Sequence, residues 1–264
     1  MKIAIIGTGN LGSSIAKGLI KNKSFTSLYL SDKNTAAVNV FNDEDYVTVT
    51  SDNNEAVKES DIVIFALQPR HIDKVLESVS EDISENHVVM SVAAGFEIAR
   101  IENIVGSDKN IIRVMPNTAI SIGKSMTCLS ANEQGQSKIE LAQKIFNQLG
   151  TTMVIPEEQI QAATVICASG IAFWMRLVRA TTQGAIQLGF EAHEAHQLAV
   201  QTCFGSASLL IESGRHPEQE IDRVTTPSGC TIEGLNAMEH QGLSSALIQG
   251  IVASFEKINQ IKKS

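Results

Sequence analysis

A chain of 264 residues, 43% of them hydrophobic, is long enough for one large domain or two modest ones with separate cores, and two is the better expectation. Its formal charge of -8, from 29 acidic against 21 basic residues, argues against nucleic acid or an anionic membrane surface as partner, because either calls for a basic face. The four cysteines, Cys128, Cys167, Cys203 and Cys230, lie far apart without Cys-x-x-Cys or paired-histidine spacing, so neither a metal site nor a disulfide framework is expected and free thiols are the default.

The first element is the apolar run Lys2-Ile3-Ala4-Ile5-Ile6, a strand that leads into Gly7-Thr8-Gly9-Asn10-Leu11-Gly12 and then into the helical spacing of Ser13 to Ile20. No charged-then-apolar leader precedes it, and a cytoplasmic location is expected. Strand, G-x-G-x-x-G turn and helix together point to a dinucleotide site. Gly7 suits the tight turn, Gly9 lets the backbone approach a pyrophosphate, and Gly12 lets the helix pack on the strand. Thr8, Asn10 and Leu11 complete the loop, whose N–H groups and positive helix end face the phosphates.

A second strand from Ser27 ends at Ser31-Asp32-Lys33-Asn34, close to the spacing at which a ribose-binding residue is expected. Asp32 can accept from a ribose 2′-hydroxyl, which favours NADH; Lys33 with Ser31 and Asn34 can hold a 2′-phosphate, which favours NADPH. Both stay open, and a solvated turn is the plainer reading of Lys33 alone. Near-continuous apolar strands follow at 61–66, 87–91 and 110–114, alternating with helices at 53–60, 71–80 and 97–104. Further strands at 125–129 and 151–155 flank a helix at 134–149. This is the pattern of a Rossmann-type doubly wound parallel sheet, spanning residues 1–155, whose crevice lies at the carboxyl ends of the strands. Three strand ends should line that crevice: Ala66-Leu67-Gln68-Pro69, Ser91-Val92-Ala93-Ala94-Gly95 and Val114-Met115-Pro116-Asn117-Thr118. Small residues let a flat ring lie against the backbone, prolines fix the loops, and Asn117 offers donor and acceptor to a nicotinamide amide or ribose. Turn chemistry accounts for each loop singly; their coincidence on one edge is what points to a site.

After Pro156 the chain turns all-α, with helices expected at 157–189, 191–213, 218–224, 232–241 and 244–261, a second domain over 156–264. The longest apolar stretch, 162–175, is interrupted by Thr164 and Ser169 and followed by Arg176, which leaves it short of a membrane span. Ala163, Ile166, Gly170, Phe173 and Trp174 make the first of these helices apolar around most of its circumference, so a covering surface is needed and a homodimer interface is expected. The loop Thr225-Thr226-Pro227-Ser228-Gly229-Cys230-Thr231 precedes another helix; its hydroxyls and N–H groups suit a carboxylate, with helix capping by Ser228 or Thr231 as the alternative. The histidines are scattered and read as surface or capping residues.

Together these residues resemble the pyrroline-5-carboxylate reductase family over essentially the whole chain. The matching segments are Gly7 to Gly12, Ala93-Ala94-Gly95, Arg113-Val114-Met115-Pro116-Asn117-Thr118, Gln201-Thr202, Glu212-Ser213-Gly214-Arg215-His216-Pro217, the Thr225 to Thr231 loop and Gly242-Leu243. The resemblance implies NAD(P)H in the N-terminal domain and a C-terminal helical dimerisation domain that forms an intertwined homodimer, often assembled into a ring of dimers. It also implies a substrate pocket between the nucleotide domain and helices of both subunits. The activity implied is reduction of a cyclic imino acid, 1-pyrroline-5-carboxylate, to L-proline, with NADP the expected cofactor and NAD left open. Thr231 matches the family's hydroxyl donor, Thr226, Ser228, Gly229 and Cys230 fall in its carboxylate loop, and Asn53 matches a cofactor contact.

Three segments depart from the family pattern. Gln68 stands where a lysine is usual before Pro69; Thr164-Val165-Ile166-Cys167-Ala168-Ser169-Gly170-Ile171-Ala172-Phe173 replaces T-A-L-S-G-S-G-P-A-Y; and Thr226-Pro227-Ser228-Gly229 replaces S-P-G-G. These changes leave the fold alone and open two alternatives, a reductase of another cyclic imino acid and a catalytically idle NAD(P)-binding dimer. A hydroxy-acid dehydrogenase ranks below them, since residues 156–185 contain no lysine or histidine to serve as its base.

Overall fold

The computed structural model describes every residue except Ser24, Ala36, Ala37, Asn42, Asp43 and Ser264, and side chains through residue 260. It divides into two compact units, Met1–Ala168 and Ser169–Ser264. In the first unit the elements run β1 (Lys2–Ile6), α1 (Asn10–Asn22), β2 (Ser27–Ser31), β3 (Val47–Thr50), α2 (Asn53–Lys58), β4 (Ile62–Phe65), α3 (Pro69–Val79), β5 (Val88–Ser91), α4 (Ile98–Val105) and β6 (Asn110–Met115). They continue through β7 (Ser125–Ala131), α5 (Ile139–Phe146), β8 (Gly150–Val154) and α6 (Ile160–Ala163). The second unit holds α7 (Gly170–Gln187), α8 (Ala192–Ser213), α9 (Pro217–Val224), α10 (Cys230–His240) and α11 (Leu243–Lys263).

The eight strands form one sheet in the order β3-β2-β1-β4-β5-β6-β7-β8. Every neighbouring pair is parallel except β6 with β7, which run antiparallel. Strand order reverses across β1 and β4, where doubly wound sheets open a crevice at their carboxyl ends. Because side chains alternate along a strand, each central strand feeds two cores. Ile3 and Ile5 of β1 and Ile62 and Ile64 of β4 pack with Ile15, Leu19 and Phe146 on one face. Ala4 and Ile6, with Val63 and Phe65, pack with Ile72, Leu76, Phe96 and Ile101 on the other. Burial on both faces is why these strands read as unbroken apolar runs. The strand β3, not anticipated from sequence, sits at the sheet edge and is only partly buried.

The expected single helix over 157–189 is instead a 3-10 turn Glu157–Gln159, then α6, a π-helical stretch Thr164–Ser169 and α7. The helical path Glu157–Gln187 is 31 residues long and apolar enough to cross a membrane by length and composition alone, which corrects the expectation drawn from the apolar stretch 162–175. Thr164, Ser169 and Arg176 interrupt the apolar run but not the helicity. Within the second unit α7 packs on α8, α8 on α9 and α10 on α11. Among its described residues only Gly170, Thr182, Ala195 and Ala199 are buried, while Trp174, Met175, Leu188, Phe204 and Ile211 are exposed.

Candidate active site

The glycine elbow takes the conformation its sequence requires. Gly7 has φ +93°, and a Cβ on it would meet the Leu67 side chain at 2.6 Å and the Ala66 carbonyl at 2.7 Å. A Cβ on Gly12 would collide with the Gly7 carbonyl oxygen. Gly9 is the N-cap of α1 with no side-chain cap, nothing lies within 4 Å of where its Cβ would be, and no acidic residue occupies the first turn. The first-turn N–H groups of α1, at Asn10, Leu11 and Gly12, are thus unscreened by any carboxylate of their own helix. Thr8 is buried, and its hydroxyl has no hydrogen-bond partner among the described residues.

The elbow is tied to the end of β2. The Gly7 N–H donates to the Ser31 carbonyl at 2.8 Å, and the Thr8 N–H donates to Oδ2 of Asp32 at 2.7 Å. Oδ1 of Asp32 accepts the Asn34 N–H at 3.0 Å. The buried Ser31 hydroxyl donates to Oδ1 of Asn53, the first residue of α2, at 2.7 Å. A cleft of about 360 Å³ opens here and gathers Gly7, Gly9, Ser31, Asp32, Lys33, Asn53, Ala66 and Gln68 from the sequence-derived candidates. Its remaining wall, missed in the sequence, is the face of α3 carrying Arg70, His71, Lys74 and Val75. Their spacing at i, i+1, i+4 and i+5 is the signal that marks one helix face.

Pro69 sits in the first turn of α3, where its missing N–H costs nothing. Farther along the carboxyl edge, Ala93 and Ala94 follow β5, and Gly95 turns with φ +73° and open space at its Cβ position. Asn117 follows β6 and is nearly buried, with its amide engaged on both sides. Oδ1 accepts the Ala119 N–H at 3.0 Å, and Nδ2 donates to the Cys167 carbonyl at 3.0 Å. It thereby fastens the π-helical stretch to the sheet edge, with one N–H and one lone pair to spare.

Cys167 also shares a small apolar cluster with Met115, Cys128 and Ile160. The Cys128 thiol donates to the Cys167 sulfur, which pulls the Cys167 pKa down to about 7 against the opposing effect of burial. The same bond and burial hold the Cys128 proton on, raising its pKa. Among the described residues no three His, Cys, Asp or Glu side chains gather into a metal-binding group.

In the second unit, α10 begins at Cys230 with Gly229 as N-cap and no side-chain cap. Ser228 and Thr231 therefore do not cap their own helix. The turn is tight: the Gly229 N–H donates to the Thr226 carbonyl at 2.9 Å, and a Cβ on Gly229 would collide with the Thr226 hydroxyl. Ser228 has φ +56°, a left-handed conformation that costs a non-glycine residue on the order of 1 kcal/mol. Thr226, Ser228 and Cys230 are exposed, and Thr231 lines a cleft of about 280 Å³ with Leu209, Leu210, Ile221 and Leu235.

Residues 2–95 match the family model described as NADP oxidoreductase, coenzyme F420-dependent, and residues 157–261 match that described as pyrroline-5-carboxylate reductase dimerisation. The chain is similar to pyrroline-5-carboxylate reductase 2 of Dictyostelium discoideum, at 39% identity over 97% of this chain and 91% of that one. The chain belongs to the pyrroline-5-carboxylate reductase family. It is also 45% identical, over 97% of its length, to pyrroline-5-carboxylate reductase 1 of the same organism, and there it spans about half (49%) of the relative's length. In structure it is similar to a pyrroline-5-carboxylate reductase from Coxiella burnetii, with TM-score 0.94, 28% identity and coverage of 99% of this chain and 98% of the other. The nucleotide-type cleft thus falls in the segment matched to NADP oxidoreductases, and the threonine loop falls in the segment matched to the family's dimerisation region.

Proposed function

We propose that the chain is a cytoplasmic, homodimeric NAD(P)H-dependent reductase that converts 1-pyrroline-5-carboxylate to L-proline, the closing step of proline biosynthesis. The observation that carries this reading is the bare N-terminus of α1 behind a glycine elbow, in a chain of this family. The elbow fits a pyrophosphate: backbone N–H donors and a positive helix end meet a cleft lined by Gly7 and Gly9, where only glycine leaves room for close approach.

The dinucleotide supplies a hydride from its nicotinamide when bound. The chain's own residues do the rest. Gly7, Thr8, Gly9, Asn10, Leu11 and Gly12 hold the phosphates, while Ser31, Asp32, Lys33 and Asn53 take the adenosine end. Ala66, Gln68, Pro69, Ala93, Ala94, Gly95 and Asn117 form the small-residue edge along which a flat ring can lie. The loop of Thr226, Ser228, Gly229 and Cys230 at the positive end of α10 anchors the substrate carboxylate. Thr231, in the first turn of that helix, donates its hydroxyl proton toward the imine nitrogen and so draws electrons from the C=N carbon that accepts the hydride. NADPH is the working cofactor, with NADH as a slower substitute.

The exposed apolar side chains of α7, α8 and α11, Trp174, Phe204, Ile211 and Phe255 among them, support a homodimer, because a soluble monomer rarely leaves so much apolar surface uncovered. The same surface accounts for the apolar Glu157–Gln187 path without a membrane. A ring of such dimers is the larger assembly this reading includes. The test is turnover: purified chain with 1-pyrroline-5-carboxylate should consume NADPH and yield proline. Thr231→Ala should lower kcat by roughly 100-fold, the size of a lost proton-donating contact. Wild-type rates in that variant, or no turnover of any cyclic imino acid by the parent chain, would contradict the assignment.

A further inference from the structure

Four basic side chains line the nucleotide cleft. Lys33 comes from the end of β2; Arg70, His71 and Lys74 come from the first two turns of α3. Among the described residues none of Lys33, Arg70 or Lys74 forms an ion pair, although acidic side chains are close along the chain. Asp73 is held by Arg100, and Asp82 by Lys58 and Asn54. Among the described residues Asp32 is the single carboxylate lining the cleft, and its two oxygens accept the N–H groups of Thr8 and Asn34. Arg70 is oriented as well: its Nε donates to Nε2 of His71 at 3.1 Å, which leaves the two terminal nitrogens of the guanidinium to face another group.

Three cations lining one cleft outnumber its one carboxylate, Asp32, and the excess positive charge is stabilised by an anion that the cations share. The first turn of α3 adds to this, for it carries no acidic residue and no side-chain cap. A dinucleotide bound by the elbow runs its adenosine along this cleft, past Ser31 and Asn53. The group that matches the three cations there is a 2′-phosphate, which carries close to two negative charges and several acceptor oxygens. An unphosphorylated ribose offers Arg70 and Lys74 only neutral hydroxyls and no countercharge.

We propose that Arg70 and Lys74 of α3, together with Lys33, form a 2′-phosphate subsite that makes the enzyme prefer NADPH to NADH, with His71 and Val75 forming the wall against the adenine. The inference rests on the reading of this cleft as a dinucleotide site and adds a second element, α3, to the discrimination that the sequence located only at the end of β2.

The direct probe is calorimetric binding of adenosine 2′,5′-bisphosphate and of 5′-AMP to the full chain. The parent should bind the bisphosphate at least about tenfold more tightly, with the advantage shrinking as salt rises. In Arg70→Ala/Lys74→Ala the affinity for the bisphosphate should fall about tenfold more than that for 5′-AMP, and the NADPH-to-NADH ratio of kcat/KM should fall with it. Arg70→Lys/Lys74→Arg should recover most of the preference. Both pairs are exposed, so folding is expected to survive. If the parent binds NADH but does not favour the bisphosphate, or if the double alanine variant weakens both ligands equally, the subsite is wrong and the dinucleotide cleft stands. If neither nucleotide nor NADH binds, the dinucleotide reading itself falls and the subsite with it.

Discussion

Thr8 ties the elbow to the end of β2 through its N–H, which donates to Asp32, so this residue builds the loop that its flanking glycines open to the cleft. From sequence the Asn117 amide reads as a free contact for a nicotinamide, whereas the structure gives each side of the amide a protein partner first. The thiol pair shows the same dependence on neighbours. Cys128 and Cys167 are 39 positions apart in sequence, and only their meeting in one apolar cluster sets their chemistry. Because the hydrogen bond from Cys128 favours the charged form of Cys167, that sulfur is a thiolate above its pKa of about 7 and a thiol below it. Alkylation of Cys167 by iodoacetamide, followed by peptide mass spectrometry, should rise through pH 7 while Cys128 stays unmodified. A Cys128→Ser variant, with a different donor, should move that midpoint. Equal labelling of both cysteines at every pH would show that they do not interact as described.

Among the elements, the central strands were the most legible, because burial on both faces writes itself as an unbroken run of β-branched residues. The glycine elbow was legible for a similar reason: the Gly7 and Gly12 positions admit no side chain, and that is a sequence-level constraint. The strand β3 was not, since at four residues, on the edge and half-wet, it carries little hydrophobic signal. The π-helical stretch was hidden as well, because its residues keep an ordinary helical composition and only the hydrogen-bond register changes. The α3 wall of the cleft went unnoticed because only the fold brings that helix face to the same cleft as Ser31, Asp32 and Lys33 at the end of β2. Glu157 is a further case. It follows β8, yet its Oε1 accepts the Ile98 N–H at the start of α4 at 2.8 Å and pairs with Arg113 of β6 at 3.0 Å. The Arg113 side chain is only 7% exposed, so removing its partner leaves a nearly buried charge alone. Glu157→Ala should therefore cost about 3 kcal/mol in urea unfolding of the chain. Glu157→Gln, which keeps an oxygen for the Ile98 N–H, should cost roughly half as much. An alanine variant as stable as the parent would mean that this junction contributes nothing.

At the scale of the whole molecule the two units differ in how complete they are. The first unit buries its apolar residues in two sheet-facing cores, while the second leaves most of its apolar side chains outside. That asymmetry is what the proposed homodimer resolves, and it explains why helices so rich in hydrophobic residues belong to a chain with charge -8. The central claim is the proposed transfer of a hydride from bound NADPH to the ring imine of 1-pyrroline-5-carboxylate. It is tested most directly with NADPH deuterated at C4 of the nicotinamide, incubated with 1-pyrroline-5-carboxylate and the full chain, followed by mass and NMR analysis of the amino acid formed. The account predicts one deuterium per proline, on the ring carbon that was the imine carbon, transferred from only one of the two C4 faces. Proline without deuterium, or oxidised cofactor with no proline, would contradict it.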